Sequence, residues 1–443
     1  MRALIAALVL AAPAAAQQTA EEAAVVRARM ALLPMERGIE AVEAYQPAEA
    51  VPGAARAVRP LPRTTPARAR IAPEALRAAE ALAERHASHA LIVAVDGRLV
   101  LERYWNGFSR QSRFSTASMH KTVMALAMGA AVDEGRLSLA DPLARHIPEW
   151  RADPRGAVTV GQLLEMTSGL AFPPAPPGPP GPENVNLRLM FAPDIRRVAL
   201  EVPQAAPPGT VFAYSNIDSQ LAGEALQAAL PVRYARFLSE RIWQPIGASD
   251  ASLFLDRKGG SPHWFCCLQA AAMDWVRVGE LIRTGGRVGS RSILSHAWVA
   301  GMAAPSARNP NFGRHLWRGH PHAPQRRYSA TIAMTVPARE PFLAEDVLFL
   351  DGAGGQRLYV IPSAGLTVVR IGRPVPDWDD SALPNILLGG LLRARPPAHR
   401  PEAGRAARLP GAAGQGSADA GGAGASPPVG EMPHPRRVRD GRG

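Results

Sequence analysis

The sequence predicts an α+β protein, a mainly antiparallel sheet flanked by helices with a helical region inserted between its strands. Three observations predict it. Strand-like runs gather at both ends of the folded part, near 90–104 and 328–371. The stretch between them carries mostly helical patterns. Neighbouring strands are joined by short turns, which suit antiparallel pairing and leave no room for the crossovers that parallel strands need.

The elements follow in order. Pro73 to His86 has a helical pattern. Two strands, Ala90–Val95 and Leu99–Tyr104, flank Asp96-Gly97, a strong hairpin-turn signal. Thr116 to Gly135 is Ala-, Met- and Leu-rich and reads as a helix, and Val160–Thr167 as another, stopped by Ser168-Gly169. The prolines of 172–187 remove backbone donors and predict an irregular surface loop. Helices are expected at Ser219–Leu230, Tyr234–Trp243 and Ala270–Thr284. Strands return at Tyr328–Val336, Val347–Leu350, Arg357–Ile361 and Leu366–Ile371, and a last helix at Ser381–Leu392 closes the unit.

Residues 71–395 are thus expected to be the folded domain of this 443-residue chain. Before it, 1–16 read as a secretory signal peptide: Arg2, an apolar run from Ala3 to Ala12, then Ala14-Ala15-Ala16 as a cleavage site. That apolar run is too short to span a bilayer, so export, in a bacterium to the periplasm, is expected without stable membrane insertion. Residues 17–70 read as a leader or linker. From 396 to 443 the Gly/Ala/Pro/Arg-rich tail lacks the apolar residues a core needs, and disorder is expected.

The net charge of +12 is spread along the chain with no dense basic stripe, so nucleic-acid binding is not expected. The adjacent Cys266 and Cys267 read as small buried hydrophobes, because a bond between neighbours closes no useful loop. No Cys/His cluster stands at zinc-ligand spacing, so neither metal nor cofactor is expected.

Among the 50 basic residues only Lys121 and Lys258 are lysines. Arginine keeps its proton at any ordinary pH, whereas a desolvated lysine releases it, so the lysine at 121 is chemically informative. It stands three residues after Ser118, in Ser115-Thr116-Ala117-Ser118-Met119-His120-Lys121. On a helix beginning at Ser118 the two share a face. A serine hydroxyl needs a nearby base, and burial brings the amine's pKa toward neutrality. His120, at i+2, points away from that face and reads as a packing residue. The spacing alone is weak evidence, and two later motifs give it weight.

The first of these, Tyr214-Ser215-Asn216, stands after a Pro208-Gly209 turn and precedes a helix. Tyr214 can relay a proton if positive charge lowers its pKa, and Asn216 offers a donor and an acceptor to orient Lys121 and substrate. The second, Asp351-Gly352-Ala353-Gly354-Gly355-Gln356, enters a strand, where glycines mark a place for a ligand close to the backbone. An N–H there, together with that of Ser118, would form an oxyanion hole.

Together these motifs resemble the serine β-lactamase and penicillin-binding-protein superfamily, especially its class C-like branch of esterases, D-aminopeptidases and 6-aminohexanoate-dimer hydrolases. The likeness extends over 158–170, 265–279 and 354–370. It implies a β-lactamase/transpeptidase-like fold and a Ser118 acyl-enzyme, with Lys121 and Tyr214 moving protons and Asn216 supporting them. It leaves two alignments of the third motif open: Gly352 with Ala353 as oxyanion donor, or Gly354 with Gly355. Neither supplies the Lys or His that the family often uses to bind a substrate carboxylate. Asp351 would repel such a group, although Arg357 or Arg370 offers a substitute cation. The resemblance therefore implies a small ester or linear-amide substrate over a β-lactam or D-Ala peptide. Its rival is a penicillin-binding sensor that acylates without turnover.

Overall fold

The computed structural model describes residues 18–32, 38–54, 61–171, 181–329 and 334–394. The expected signal peptide, the core of the proline-rich loop and the tail from 396 lie outside them.

The six-stranded sheet is antiparallel throughout. Its order is Arg98–Tyr104, Ser88–Val95, Leu366–Gly372, Gln356–Ile361, Leu348–Gly352, Trp317–Arg318. Ser88–Val95 is buried at every position because both faces are covered. Leu91, Val93 and Val95 join a core with Leu76 and Leu82 of helix Pro73–Arg85 and Leu383 and Leu387 of helix Ala382–Ala394. Ala90, Ile92 and Ala94, one residue out of phase, face the opposite core with Val276 and Leu281 of helix Ala272–Arg283. Each large aliphatic side chain buried in this way contributes about 1.5–3 kcal/mol. Gly279 lets that helix lie close, since a Cβ there would come within 2.6 Å of Thr367. The expected hairpin forms as read, with Val95 opposite Arg98 and positive φ at both Asp96 and Gly97.

A second, four-stranded sheet was not expected. Its order is Ala48–Val51, Ala251–Phe254, Leu268–Ala271, Arg113–Ser115. It corrects the reading of 17–70 as a leader, because Ala48–Val51 pairs with Ala251–Phe254. Glu22, on helix Ala20–Leu32, is likewise buried against Arg188 and Arg197. Both contacts join segments about 170 or more residues apart, which local patterns do not reveal.

Residues 330–333 of the strand expected at Tyr328–Val336 lie outside the described residues, and its described ends do not join the main sheet. Gln325–Arg327 and Thr335–Pro337 form a separate two-stranded ribbon, and Ser329 bridges to Ala213. The inserted region contains helices Val185–Phe191 and Ile195–Leu200 besides the expected ones, and helix His296–Ala303 follows it.

Candidate active site

The small sheet leads into Ser118, the candidate nucleophile. Strand Arg113–Ser115 ends at Thr116, Ala117 takes a positive φ of 50°, and Ser118 sits in the 3-10 turn Ala117–Met119. That turn runs straight into helix His120–Asp133, which is buried through Ala131 and, from Val123 to Ala131, carries no polar side chain on any side. Lys121 therefore arises from a helix inside the protein, one turn beyond Ser118.

The Lys121 ammonium has three hydrogen-bond acceptors and no carboxylate among them. Nζ donates to Ser118 Oγ at 2.9 Å, Asn216 Oδ1 at 2.9 Å and the Phe265 carbonyl at 2.8 Å. The Tyr214 ring lies 4.9 Å away and the Phe265 ring 5.7 Å. Burial lowers the pKa to about 7, against a smaller opposing pull from Asp351. The amine can therefore be neutral near physiological pH while already in contact with the hydroxyl it would deprotonate.

His120 is a packing residue, as its position implies. Nδ1 contacts the carbonyls of Cys266 at 3.0 Å and His263 at 3.3 Å, and Nε2 contacts the Tyr234 hydroxyl at 3.1 Å. Burial lowers its pKa to about 4. Cys266 and Cys267 are buried as expected but bonded to each other, which corrects their reading as free hydrophobes. Their segment wraps the turn that holds Ser118: the Cys267 N–H donates to the Ala117 carbonyl at 3.2 Å.

Tyr214 and Asn216 reach the same point from the start of helix Asn216–Ala229. Between them Ser215 caps the helix, its Oγ accepting from the N–H groups of Ile217 and Asp218. The Tyr214 N–H donates to the Tyr328 carbonyl at 2.7 Å, anchoring the turn. The expected lowering of the phenol's pKa is reversed. Burial pushes it well above its usual value, Asp351 and Tyr328 add to the rise, and a hydrogen bond with Ser118 opposes it. Tyr214 is thus a neutral phenol beside Ser118. Asn216 accepts from Lys121 and donates through Nδ2 to Asn186 Oδ1 at 3.1 Å. Asn186 gave no sequence signal; it falls at the end of the stretch 172–187 read as an irregular loop, where a seven-residue helix, Val185–Phe191, begins instead.

The third motif forms the opposite wall. Strand Leu348–Gly352 turns through Ala353, Gly354 and Gly355 into Gln356–Ile361. Gly352 is the close-approach glycine, since a Cβ there would fall 2.4 Å from the Thr116 carbonyl. Ala353, Gly354 and Gly355 line a cavity of about 360 Å³ with Ser118, Tyr214 and Asn216, and Gly352 stands behind them. Gln356 braces the turn, its side chain donating to the Gly372 carbonyl at 2.8 Å and accepting from the Gly372 N–H at 2.9 Å.

The charges of this wall also correct the sequence reading. Asp351 is not a bare repelling carboxylate: Arg326 at 2.9 Å, Arg357 at 2.5 Å and the Tyr328 hydroxyl at 2.5 Å all meet it. Arg357 in turn pairs with Asp380 at 2.7 Å. Arg370 bonds Ser88 Oγ at 2.9 Å and the Gly355 carbonyl at 3.1 Å, so it props the turn from behind and does not line the cavity. Among the described residues no His/Cys/Asp/Glu group is arranged to hold a metal ion, and no helix is long and apolar enough to cross a membrane.

Residues 75–373 match the family model described as Beta-lactamase. The chain belongs to the β-lactamase family. It is 24% identical over 234 residues to the 6-aminohexanoate-dimer hydrolase of Paenarthrobacter ureafaciens, covering 51% of this chain and 59% of that protein. To Protein flp of Staphylococcus aureus strain MW2 it is 28% identical over 141 residues, 31% of this chain and 27% of that one. This family member thus spans little more than half, and about a quarter, of those relatives. Its fold is that of the putative 6-aminohexanoate-dimer hydrolase from Bacillus anthracis, with TM-score 0.64 and 20% identity over 81% of this chain and 93% of that one. A class C β-lactamase from Rhodobacter sphaeroides shares it at TM-score 0.52 and 19% identity, over 72% and 99%.

Proposed function

We propose that the protein is a serine hydrolase that cleaves a small ester or linear amide through a Ser118 acyl-enzyme. One observation carries the reading: a buried lysine, free of carboxylate partners and shifted to about 7, lies 2.9 Å from the serine hydroxyl. The neutral Lys121 amine takes the Ser118 proton as Oγ bonds to the substrate carbonyl carbon, whose π electrons move onto oxygen. The oxyanion is held by the Ser118 N–H and one from the turn, Ala353 or Gly355. As the carbonyl re-forms, the bond to the leaving oxygen or nitrogen breaks. Tyr214 passes it a proton and is replenished by protonated Lys121. Water then attacks the acyl carbon by the same route, releasing the acid and returning the proton to Ser118. Asn216 holds the amine in line throughout.

The relatives named 6-aminohexanoate-dimer hydrolase support the amide side of this proposal. The apolar run and small residues of 1–16 support export to the periplasm, testable by sequencing the mature amino terminus. The panel that tests the function is p-nitrophenyl esters, linear amides and nitrocefin. Many turnovers on an ester or amide, with nitrocefin slow, are expected. One equivalent of product followed by silence would instead identify an acylating sensor.

A further inference from the structure

The pocket wall beside the catalytic group contains a closed ring of four buried charges. Arg326 meets Asp351 at 2.9 Å, Asp351 meets Arg357 at 2.5 Å, Arg357 meets Asp380 at 2.7 Å, and Asp380 meets Arg326 at 2.9 Å. No member exposes more than 5% of its side chain. Arg357 also donates to the Gly352 and Gln356 carbonyls, tying the ring to both ends of the glycine turn. Arg326 lies over the Trp317 ring at 4.3 Å. Stability alone does not account for it. Buried ion pairs pay a desolvation penalty that apolar residues of similar volume avoid, and such replacements are often neutral or stabilising.

Position does account for it. Asp351 and Arg357 are the charged residues among those that line the cavity. The third motif supplies no Lys or His where the wider family often places a cation. Two arginines are present here after all, but each guanidinium lies between two carboxylates, so neither offers an unpaired positive charge to the cavity.

We infer that this ring determines specificity: it withholds two arginines from the substrate, so the site selects acyl groups without a free carboxylate. The inference rests on the hydrolase reading above and names its substrate class. Removing one acid from the ring should turn the wall into a carboxylate receptor.

The test uses two esters of equal reach, mono-p-nitrophenyl glutarate and its methyl ester, with fluorophosphonate labelling of Ser118 run alongside. The wild-type protein should favour the methyl ester in kcat/KM by about tenfold or more. In Asp351→Asn that preference should shift toward the free acid by about tenfold or more, as one unbalanced guanidinium faces the pocket. Any change in Lys121 basicity acts on both esters and cancels in the ratio. Asp380→Asn, in the same ring but outside the cavity lining, should move the ratio in the same direction. If both variants fail to fold, the wild-type ratio decides. Equal or better turnover of the free acid by the wild type overturns the inference, and so does a folded variant that keeps the wild-type ratio. Ser118 labelling alongside either result leaves the hydrolase reading standing. Absence of label overturns that reading and the inference with it.

Discussion

The two walls of the cleft hold their cations in opposite ways. On the helical wall Lys121 is buried with neutral acceptors only, and its pKa falls to about 7. On the strand wall Arg326 and Arg357 are just as buried, yet their carboxylate partners hold them above the usual arginine value. Burial is common to both walls; the partner differs. A buried cation without a counter-charge becomes a base, and one inside a neutral ring becomes scaffold. The family position that usually carries a free cation lies on the scaffold side here.

The comparison can be broken most severely at Ser118. Ser118→Ala should lower esterase kcat/KM by about a thousandfold or more and abolish fluorophosphonate labelling read by intact mass. Lys121→Arg should come next, with a loss of about a thousandfold, because it keeps the positive charge but cannot accept a proton. Near-normal turnover in that variant would remove the base from the account. Tyr214→Phe should cost about a hundredfold in kcat, most on substrates with poor leaving groups, as expected of a phenol that protonates the departing atom. An equal loss for p-nitrophenyl and alkyl esters would assign Tyr214 to positioning instead. The smallest effect is expected at Asn186→Ala, which removes one neutral hydrogen bond behind Asn216 and should lower kcat/KM by less than about tenfold.

Much of the helical wall was legible in the sequence because its geometry is local. Ser118 and Lys121 lie one helical turn apart, and Tyr214, Ser215 and Asn216 combine a turn with a cap. The main sheet was legible for the same reason, as a two-residue turn at Asp96-Gly97 and short connections between its later strands mark the hairpins. What escaped depends on distant partners. The ring joins Arg326 to Asp351 and Asp380, and Arg357 to the same two carboxylates, so no window around Asp351 shows that its charge is met. The small sheet, Asn186 and the Phe265 carbonyl that binds Lys121 are long-range features of the same kind. The direction of the Tyr214 shift was misread because its main cause, burial of the phenol, and the added effect of Asp351 from another strand do not show in the local sequence.

The central claim is that Lys121 is a neutral base near physiological pH, and the sequence offers a clean way to observe it. The chain has two lysines, so ε-¹³C-lysine labelling gives two side-chain signals to follow by NMR across pH. The account predicts that one signal, absent in Lys121→Arg, titrates near about 7. Below that pH the amine is protonated and kcat/KM should fall; above it the rate should rise to a plateau with the same midpoint. A Lys121 signal that stays protonated up to about 10, the ordinary lysine range, would contradict the account.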